Sequence, residues 1–237
     1  MKTVIIIPAL NEEEALPLVL KEIPEHLIQE VVVVDNGSLD NTQEVARSMG
    51  ATVLYEPTKG YGSACLKGME YLRQKPVDVV VFMDGDGSNK PEEIESLIEP
   101  IKNEGYEFAV GSRNSGKKEK GALFMHQLFG NYLVTFFINR LFGTNYTDLG
   151  PFRAIRFESL LELDMEDKNF GWTVEMQIKA AKKGLKITEI PVSSRKRLAG
   201  RSKVSGNLLI SLLVGIKMMW VIFKYAINGK YRRSKYK

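Results

Sequence analysis

Two carboxylates one residue apart, Asp84 and Asp86, close an apolar, mostly β-branched run in VDVVVFMDGDGS at 77–88. The run reads as a buried strand over Val77–Met83, so both acids stand at its carboxyl end. At that spacing their charges repel unless a cation is shared. Hard divalent ions, Mg²⁺ or Mn²⁺, take such oxygen ligands and often complete their shell with phosphate oxygens of a substrate. Gly85 and Gly87 let the chain turn sharply beside a bulky ligand. A solvated acidic turn would carry the same four residues, and the rest of the chain has to decide between the two.

The elements that would position these acids alternate strand and helix patterns through the first half of the chain. That alternation predicts a mostly parallel sheet with helices on both faces. Val4–Ile7 and Val31–Val34 read as strands, the second ending in Asp35-Asn36-Gly37-Ser38, and Glu12–Glu22 reads as a helix stopped by Pro24. Asp40 with Gln43 three residues on predicts a capping box, and Gly50 closes that helix. Thr52–Tyr55 is a third strand, and KGYGSACLKGMEYL a glycine-rich loop entering a helix. Lys90–Lys102 reads as a further helix and Glu107–Val110 as a further strand. Each strand therefore ends in polar residues: Asn11 and Glu12, then Asp35, then Lys59 to Gly62, then Asp84 and Asp86. In open α/β sheets ligands bind outside those ends.

With 237 residues, 44% apolar and 26% charged, the chain can bury a large core and is not disordered. Its net charge of +4 is unevenly spread. Arg195, Lys196, Arg197, Arg201 and Lys203 form one basic cluster, and Lys230, Arg232, Arg233, Lys235 and Lys237 another. Such clusters meet anionic lipid or phosphorylated substrates as readily as nucleic acid, and no nucleic-acid-binding pattern accompanies them. A lone Cys65 excludes an internal disulfide framework and a cysteine-based zinc cluster. The four-residue apolar run before Pro8 is too short for a signal-peptide core, so a cytoplasmic location is the expectation.

The second half is different. Residues 121–143 form an apolar helical stretch punctuated by His126, Gln127, Asn131, Asn139 and Arg140. Residues 207–228 form another, long enough to span a bilayer but with Lys217 near its centre, at a cost of about 2.5–3.5 kcal/mol on insertion scales. Lys217 and Lys224 share a helix face two turns apart. The leading expectation is a C-terminal amphipathic helix lying in the membrane interface at 206–237, its basic tail on anionic headgroups, after a catalytic domain at 1–205; a membrane span and a buried or oligomer-forming helix are the alternatives.

The order VIIIPALNEEEAL, VVVVDNGSLDNT, KGYGSA, MDGDGS, AVGSR, DLGPFRA and GWTVEM resembles the family 2 glycosyltransferases of the GT-A fold, over positions 3 to about 205. Within that family it is most similar to the branch of dolichyl-phosphate mannose synthases and related polyprenyl-phosphate sugar transferases. The resemblance implies a nucleotide-diphosphate sugar donor, a divalent metal and inversion at the anomeric carbon. On it, Pro8, Ala9, Asn11 and Glu12 would line a base and ribose pocket with Lys59, Gly60 and Gly62, whose missing side chains admit the nucleoside. Asp35 would accept from base N–H groups, although a turn-forming aspartate before Asn-Gly has the same sequence. Asp84 would hold the ribose or a metal-bound water, with Asp86 the direct metal ligand. The RKRLAGRSKVSG segment resembles the family's mobile loop. It would bring Arg195, Arg197, Arg201 and Lys203 over the donor on glycine hinges at Gly200 and Gly206.

Arg113 is expected to contact an acceptor or sugar phosphate. Asp148 suits sugar hydroxyls or a helix cap, and Trp172 a sugar face or the core. Glu175 would be the general base for a hydroxyl acceptor, but an acceptor phosphate is already anionic and needs none. Where the dolichyl-phosphate enzymes tend to carry arginine and serine, this chain has Met125-His126-Gln127 and Gly130-Asn131. The leading expectation is hexose transfer from a UDP- or GDP-sugar to a polyprenyl phosphate at the cytoplasmic membrane face, by a chain that oligomerises or acts alone. Transfer to a lipid, glycan or small-molecule hydroxyl is the alternative. A sugar nucleotidyltransferase would place its glycine-rich loop after the first strand, where PALNEEE stands. A silent membrane scaffold would have no use for so costly an acidic pair.

Overall fold

The computed structural model describes residues 1–119, 121–122, 125–200 and 208–227. Arg201, Lys203, Gly206 and the basic tail lie outside the described residues.

The apolar runs become strands β1 (Thr3–Ala9), β2 (Glu30–Asp35), β3 (Thr52–Tyr55) and β4 (Val79–Phe82), followed by β5 (Phe108–Ser112), β6 (Arg153–Arg156) and β7 (Ile187–Pro191). They form one sheet in the order β3-β2-β1-β4-β6-β5-β7. All pairings are parallel except those of β6, which runs antiparallel to β4 and β5. Register aligns the strand ends. Ala9 pairs with Asp35 and Ile6 with Phe82, so β1, β2 and β4 run out along one rim. Their alternating side chains feed two cores. Val4, Ile6, Val32, Val34, Val80 and Phe82 face one layer, while Ile5, Ile7, Val33, Val79 and Val81 face the other.

Helices cover both faces, as the alternation predicts. The second layer holds α1 (Leu16–Lys21), α2 (Thr42–Ser48) and α4 (Ile94–Asn103). The first holds α3 (Tyr61–Leu72), α5 (Met125–Phe142), α6 (Phe157–Glu162), α7 (Trp172–Lys183) and α8 (Leu208–Ile227). The helix expected from Glu12 begins only at Leu16. Asn11 sits at φ 51°, and the backbone N–H groups of Glu12 and Glu13 donate to Thr42 Oγ1 (2.8 Å) and Asp40 Oδ2 (3.2 Å) instead of entering a helix. The capping box is not formed. Asp40 is thus tied across to the β1 end, and Gln43 Nε2 donates to Asp35 Oδ2 at 2.9 Å. Lys90–Lys102 divides into a 3-10 turn at Pro91–Glu93 and α4.

Helices α5 and α8 pack on each other, with Phe137 and Phe223 ring centroids 6.0 Å apart. Their outer faces expose Met125, Phe129, Tyr132 and Phe136 from α5, and Leu209, Leu212, Leu213, Ile216, Trp220 and Ile227 from α8. Leu209–Ile227 is long and apolar enough to cross a membrane. The lysines of α8 lie on one face, as their spacing predicts, and that face turns inward. Lys217 Nζ is 2.9 Å from Asp167 Oδ2 and Lys224 Nζ 3.3 Å from Glu166 Oε2.

Candidate active site

The aligned strand ends open a cleft of about 460 Å³. Pro8, Ala9 and Glu12 after β1, Asn36 after β2, Lys59, Gly60 and Tyr61 entering α3, and Asp84, Gly85 and Asp86 after β4 line it. Asn169, Phe170 and Arg197 complete the wall. The site residues expected from four strand ends therefore meet in one place, with three differences.

The first is Asp35, which is fully buried just behind the rim and does not line the cleft. It accepts from Ser38 N (3.2 Å) and Gln43 Nε2, the turn-forming arrangement. The neighbouring Asn36 faces the cleft. Its amide donates to the Glu56 and Thr58 carbonyls (3.0 and 2.8 Å) and its oxygen accepts from Gly60 N (2.7 Å), which fixes the loop carrying Lys59. Asn11, the second, bonds Leu39 N (2.7 Å) and Ser38 Oγ (2.8 Å), joining the two loops rather than lining the cleft.

The third concerns the glycines. A Cβ on Gly60 would come within 2.1 Å of Lys168 O, and one on Gly62 within 1.9 Å of Asp167 O. They are small because the 167–168 backbone lies against them. Gly60 also needs its φ of 141°.

Charge is concentrated at the floor. The Asp84 carboxyl is pushed up to about 7, by burial first and then by the neighbouring Asp86 charge. Asp86 accepts from Ser88 N at 2.9 Å. Among the described residues no group of three or more His, Cys, Asp or Glu is set to enclose a metal. Asp84 and Asp86 do fit an open-shelled divalent cation, which relieves their crowded negative charge and takes its remaining ligands from phosphate and water.

The basic segment already reaches in. Arg197 grips Glu12 through three bonds, from Nη1 to both carboxylate oxygens at 3.0 and 2.9 Å and from Nη2 to Oε1, and stands 3.7 Å from Asp86. Arg195 holds Gly87 O and Glu22 Oε1, the latter at 3.1 Å. Leu198 N donates to Asp86 O at 3.0 Å. Arg197 Nε is buried with no hydrogen-bond partner among the described residues, a donor suited to an anion in the cleft.

Asp84, Tyr61 and Phe170 also line a second cavity of about 310 Å³, so the two spaces meet at Asp84. Its further polar groups are Arg113, His126, Gln127, Asn131, Thr173 and Ser211, and Val134, Leu149, Pro151, Val214 and Met218 make it apolar elsewhere. His126 Nε2 lies 3.5 Å from Ser211 Oγ, linking α5 to α8. Arg113 makes a forked pair with Asp148, Nε and Nη2 each 2.8 Å from a carboxylate oxygen. Burial alone would neutralise both groups, but the pairing outweighs it, raising the guanidinium and holding the Asp148 carboxyl below its usual range. No helix starts at Asp148, so it caps none. It accepts from Arg113 N and Leu149 N (2.8 and 2.7 Å) and fixes the guanidinium.

Trp172 and Glu175 lie outside both cavities. Trp172 is fully buried, edge-on to Phe82 with centroids 5.9 Å apart, and belongs to the core. Glu175 is equally buried. It accepts from Glu166 N (3.1 Å), Asp167 N (2.7 Å) and Tyr225 OH (2.6 Å) and pairs with Lys179 at 2.8 Å. Sequence reasoning missed Asn36, Asn169 and Phe170 as cleft residues, and Tyr61 as the wall between the cavities. Tyr61 stands inside the glycine-rich block, and Phe170 directly precedes GWTVEM. An aromatic flanked by glycine at a loop-to-helix junction was the available signal.

The family model described as glycosyl transferase family 2 matches residues 4–164. Undecaprenyl-phosphate mannosyltransferase of Micrococcus luteus is 31% identical over 229 residues, covering 91% of this chain and 93% of that protein. UDP-N-acetylglucosamine–dolichyl-phosphate N-acetylglucosaminyltransferase of Methanococcus voltae is 28% identical over 211 residues, 80% of this chain and 84% of that one. Among solved structures, glucosyl-3-phosphoglycerate synthase of Mycobacterium tuberculosis, in complex with Mn²⁺, UDP-glucose and phosphoglyceric acid, superposes with a TM-score of 0.75. It covers 95% of this chain and 79% of that one at 21% identity, a likeness of fold.

Proposed function

This chain belongs to glycosyl transferase family 2, and we propose that it moves a hexose, with inversion, from a UDP- or GDP-sugar to a polyprenyl phosphate at the cytoplasmic membrane face. The observation that carries the proposal is the junction at Asp84. On one side lies a cleft that gathers an acidic pair and basic side chains; on the other, a cavity between α5 and α8 with Arg113 in its wall. A diphosphate and a lipid phosphate would meet there from opposite sides. The relatives named for undecaprenyl and dolichyl phosphate support that acceptor class, and the Mn²⁺ and UDP-glucose of the structural neighbour support the donor and metal.

Each residue then has a task. Asp84 and Asp86 would hold Mg²⁺ or Mn²⁺, which as a Lewis acid eases departure of the nucleoside diphosphate. Arg197, released from Glu12, would meet the charge that develops on the leaving group, with its unpaired Nε turned to an oxygen. Arg113, oriented by Asp148, would bind the acceptor phosphate and aim it at the anomeric carbon. Transfer to phosphate needs no general base, in keeping with a Glu175 whose oxygens are taken by four donors. In the same reading residues 1–205 are the catalytic domain, and 206–237 hold it to the bilayer. The exposed apolar faces of α5 and α8 enter lipid, and the basic tail favours the anionic leaflet.

The acceptor is tested by incubating the protein with labelled nucleotide sugar, Mn²⁺ and either a short polyprenyl phosphate or the matching polyprenol. Label is expected in the organic phase with the phosphate alone. Equal transfer to the alcohol would favour a hydroxyl acceptor.

A further inference from the structure

The loop between α6 and α7 joins the parts on which both cavities depend. Asn169 and Phe170 line the cleft, and Phe170 lines the second cavity as well. On one side the loop is seated against α3, where Ser63 N donates to Lys168 O at 2.9 Å. On the other it is held by α8. Lys217 bonds Asp167 at 2.9 Å, and Tyr225 OH bonds Glu175 at 2.6 Å. Val221 Cγ2 packs 2.7 Å from where a Cβ on Gly171 would stand.

These anchors reach Phe170 through short paths. Asp167 Oδ2 takes Lys217, while Oδ1 accepts from Asn169 N (2.8 Å) and Gly171 N (3.1 Å), the residues flanking Phe170. Glu175, held by Tyr225, accepts from the backbone N–H groups of Glu166 and Asp167. Both side chains of α8 therefore act on the loop backbone through a carboxylate that also orders it. The Lys217 side chain is 37% exposed and that of Asp167 8%, so the lysine end is screened by solvent while the carboxylate it holds is buried in the loop. Loss of the pair is felt in the loop.

We propose that Lys217 and Tyr225 are positioning residues for transfer: α8 holds loop 166–171 through Asp167 and Glu175, and so sets Asn169 and Phe170 against the donor. The kinetic part of this rests on the donor reading of the cleft. The helix read as a membrane element is then also part of the active-site frame, and its lysines serve the loop rather than lipid headgroups.

The test uses the full chain with Lys217→Gln and Tyr225→Phe, plus Asp167→Asn to approach the same ion pair from the loop and Lys217→Arg as the conservative variant. Hydrogen exchange at the 166–171 amides and transfer kinetics are both measured. Expected are faster exchange at Asn169 and Gly171 in Lys217→Gln and Asp167→Asn and at Glu166 and Asp167 in Tyr225→Phe, and a donor KM raised about tenfold in all three, with the largest fall in melting temperature in Tyr225→Phe, where a buried carboxylate loses a donor. Lys217→Arg should behave as the parent. Parent-like exchange in Lys217→Gln and Tyr225→Phe would overturn the proposal. Failure of the parent to use any nucleotide sugar would instead fail the donor reading, and the exchange comparison would still decide whether α8 holds the loop.

Discussion

Replacing Asp86 by alanine is expected to cut sugar transfer by about 10³ and to leave the fold intact. Asp86 lies at the cleft floor beside a half-buried Asp84, and its carboxylate is partly exposed, at 25%. Losing it removes half of the carboxylate pair that would hold the cation, and with it the charge stabilisation of the leaving diphosphate. Removing a group that acts on developing charge typically costs on the order of 10²–10³ in rate, about 3–4 kcal/mol. Here the loss is at the upper end, because Asp84 alone is a poor ligand set for a divalent ion. Stability should fall little, since one of two repelling charges is gone and the carboxylate loses only the Ser88 amide bond and a loose 3.7 Å pairing with Arg197. Transfer assays at saturating Mn²⁺, alongside thermal melts, check both halves. Activity within tenfold of the parent would remove Asp86 from the machinery.

Arg113→Met costs both stability and activity. The Asp148 side chain is 1% exposed and Arg113 22% exposed, joined by two bonds in fork geometry. Breaking a buried pair from one side leaves the partner charge stranded, at about 3–5 kcal/mol. The lower end applies, because Arg113 borders a cavity and Asp148 keeps two backbone donors. At roughly 2–4 °C per kcal/mol for a domain of this size, the melting temperature should drop by about 6–12 °C. Adding Asp148→Asn removes the stranded charge and should restore much of that loss. Transfer should stay absent in the double variant, since the guanidinium that would bind the acceptor phosphate is gone. If the double variant recovers activity with stability, Arg113 is only a strut.

The parallel half of the sheet was legible because apolar runs bounded by polar turns announce strands, and strand ends announce a rim. Strands β6 and β7 were not legible. RAIR reads as charged, yet Arg153 is fully buried, its guanidinium satisfied by the carbonyls of Leu149, Gly150 and Thr173. No local pattern foretells that. The acidic pair and the glycine-rich block were visible as types, but the reason for Gly60 and Gly62 lies a hundred residues away, in the 167–168 backbone. Glu175 shows the same limit. Its place at the start of a helix was readable, while the direction it faces depends on Tyr225, fifty residues on. For Lys217 and Lys224 the spacing fixed a common face, and the acids at 166 and 167 decided which way it turned.

The most direct measurement of the central claim is the melting temperature with UDP, GDP, CDP or ADP, each with and without Mn²⁺. A ligand at 100 times its Kd adds about 2.7 kcal/mol, or roughly 5–11 °C here. One nucleoside diphosphate should produce such a shift with metal present and not in its absence. No shift from any of the four would contradict a donor site at the strand ends.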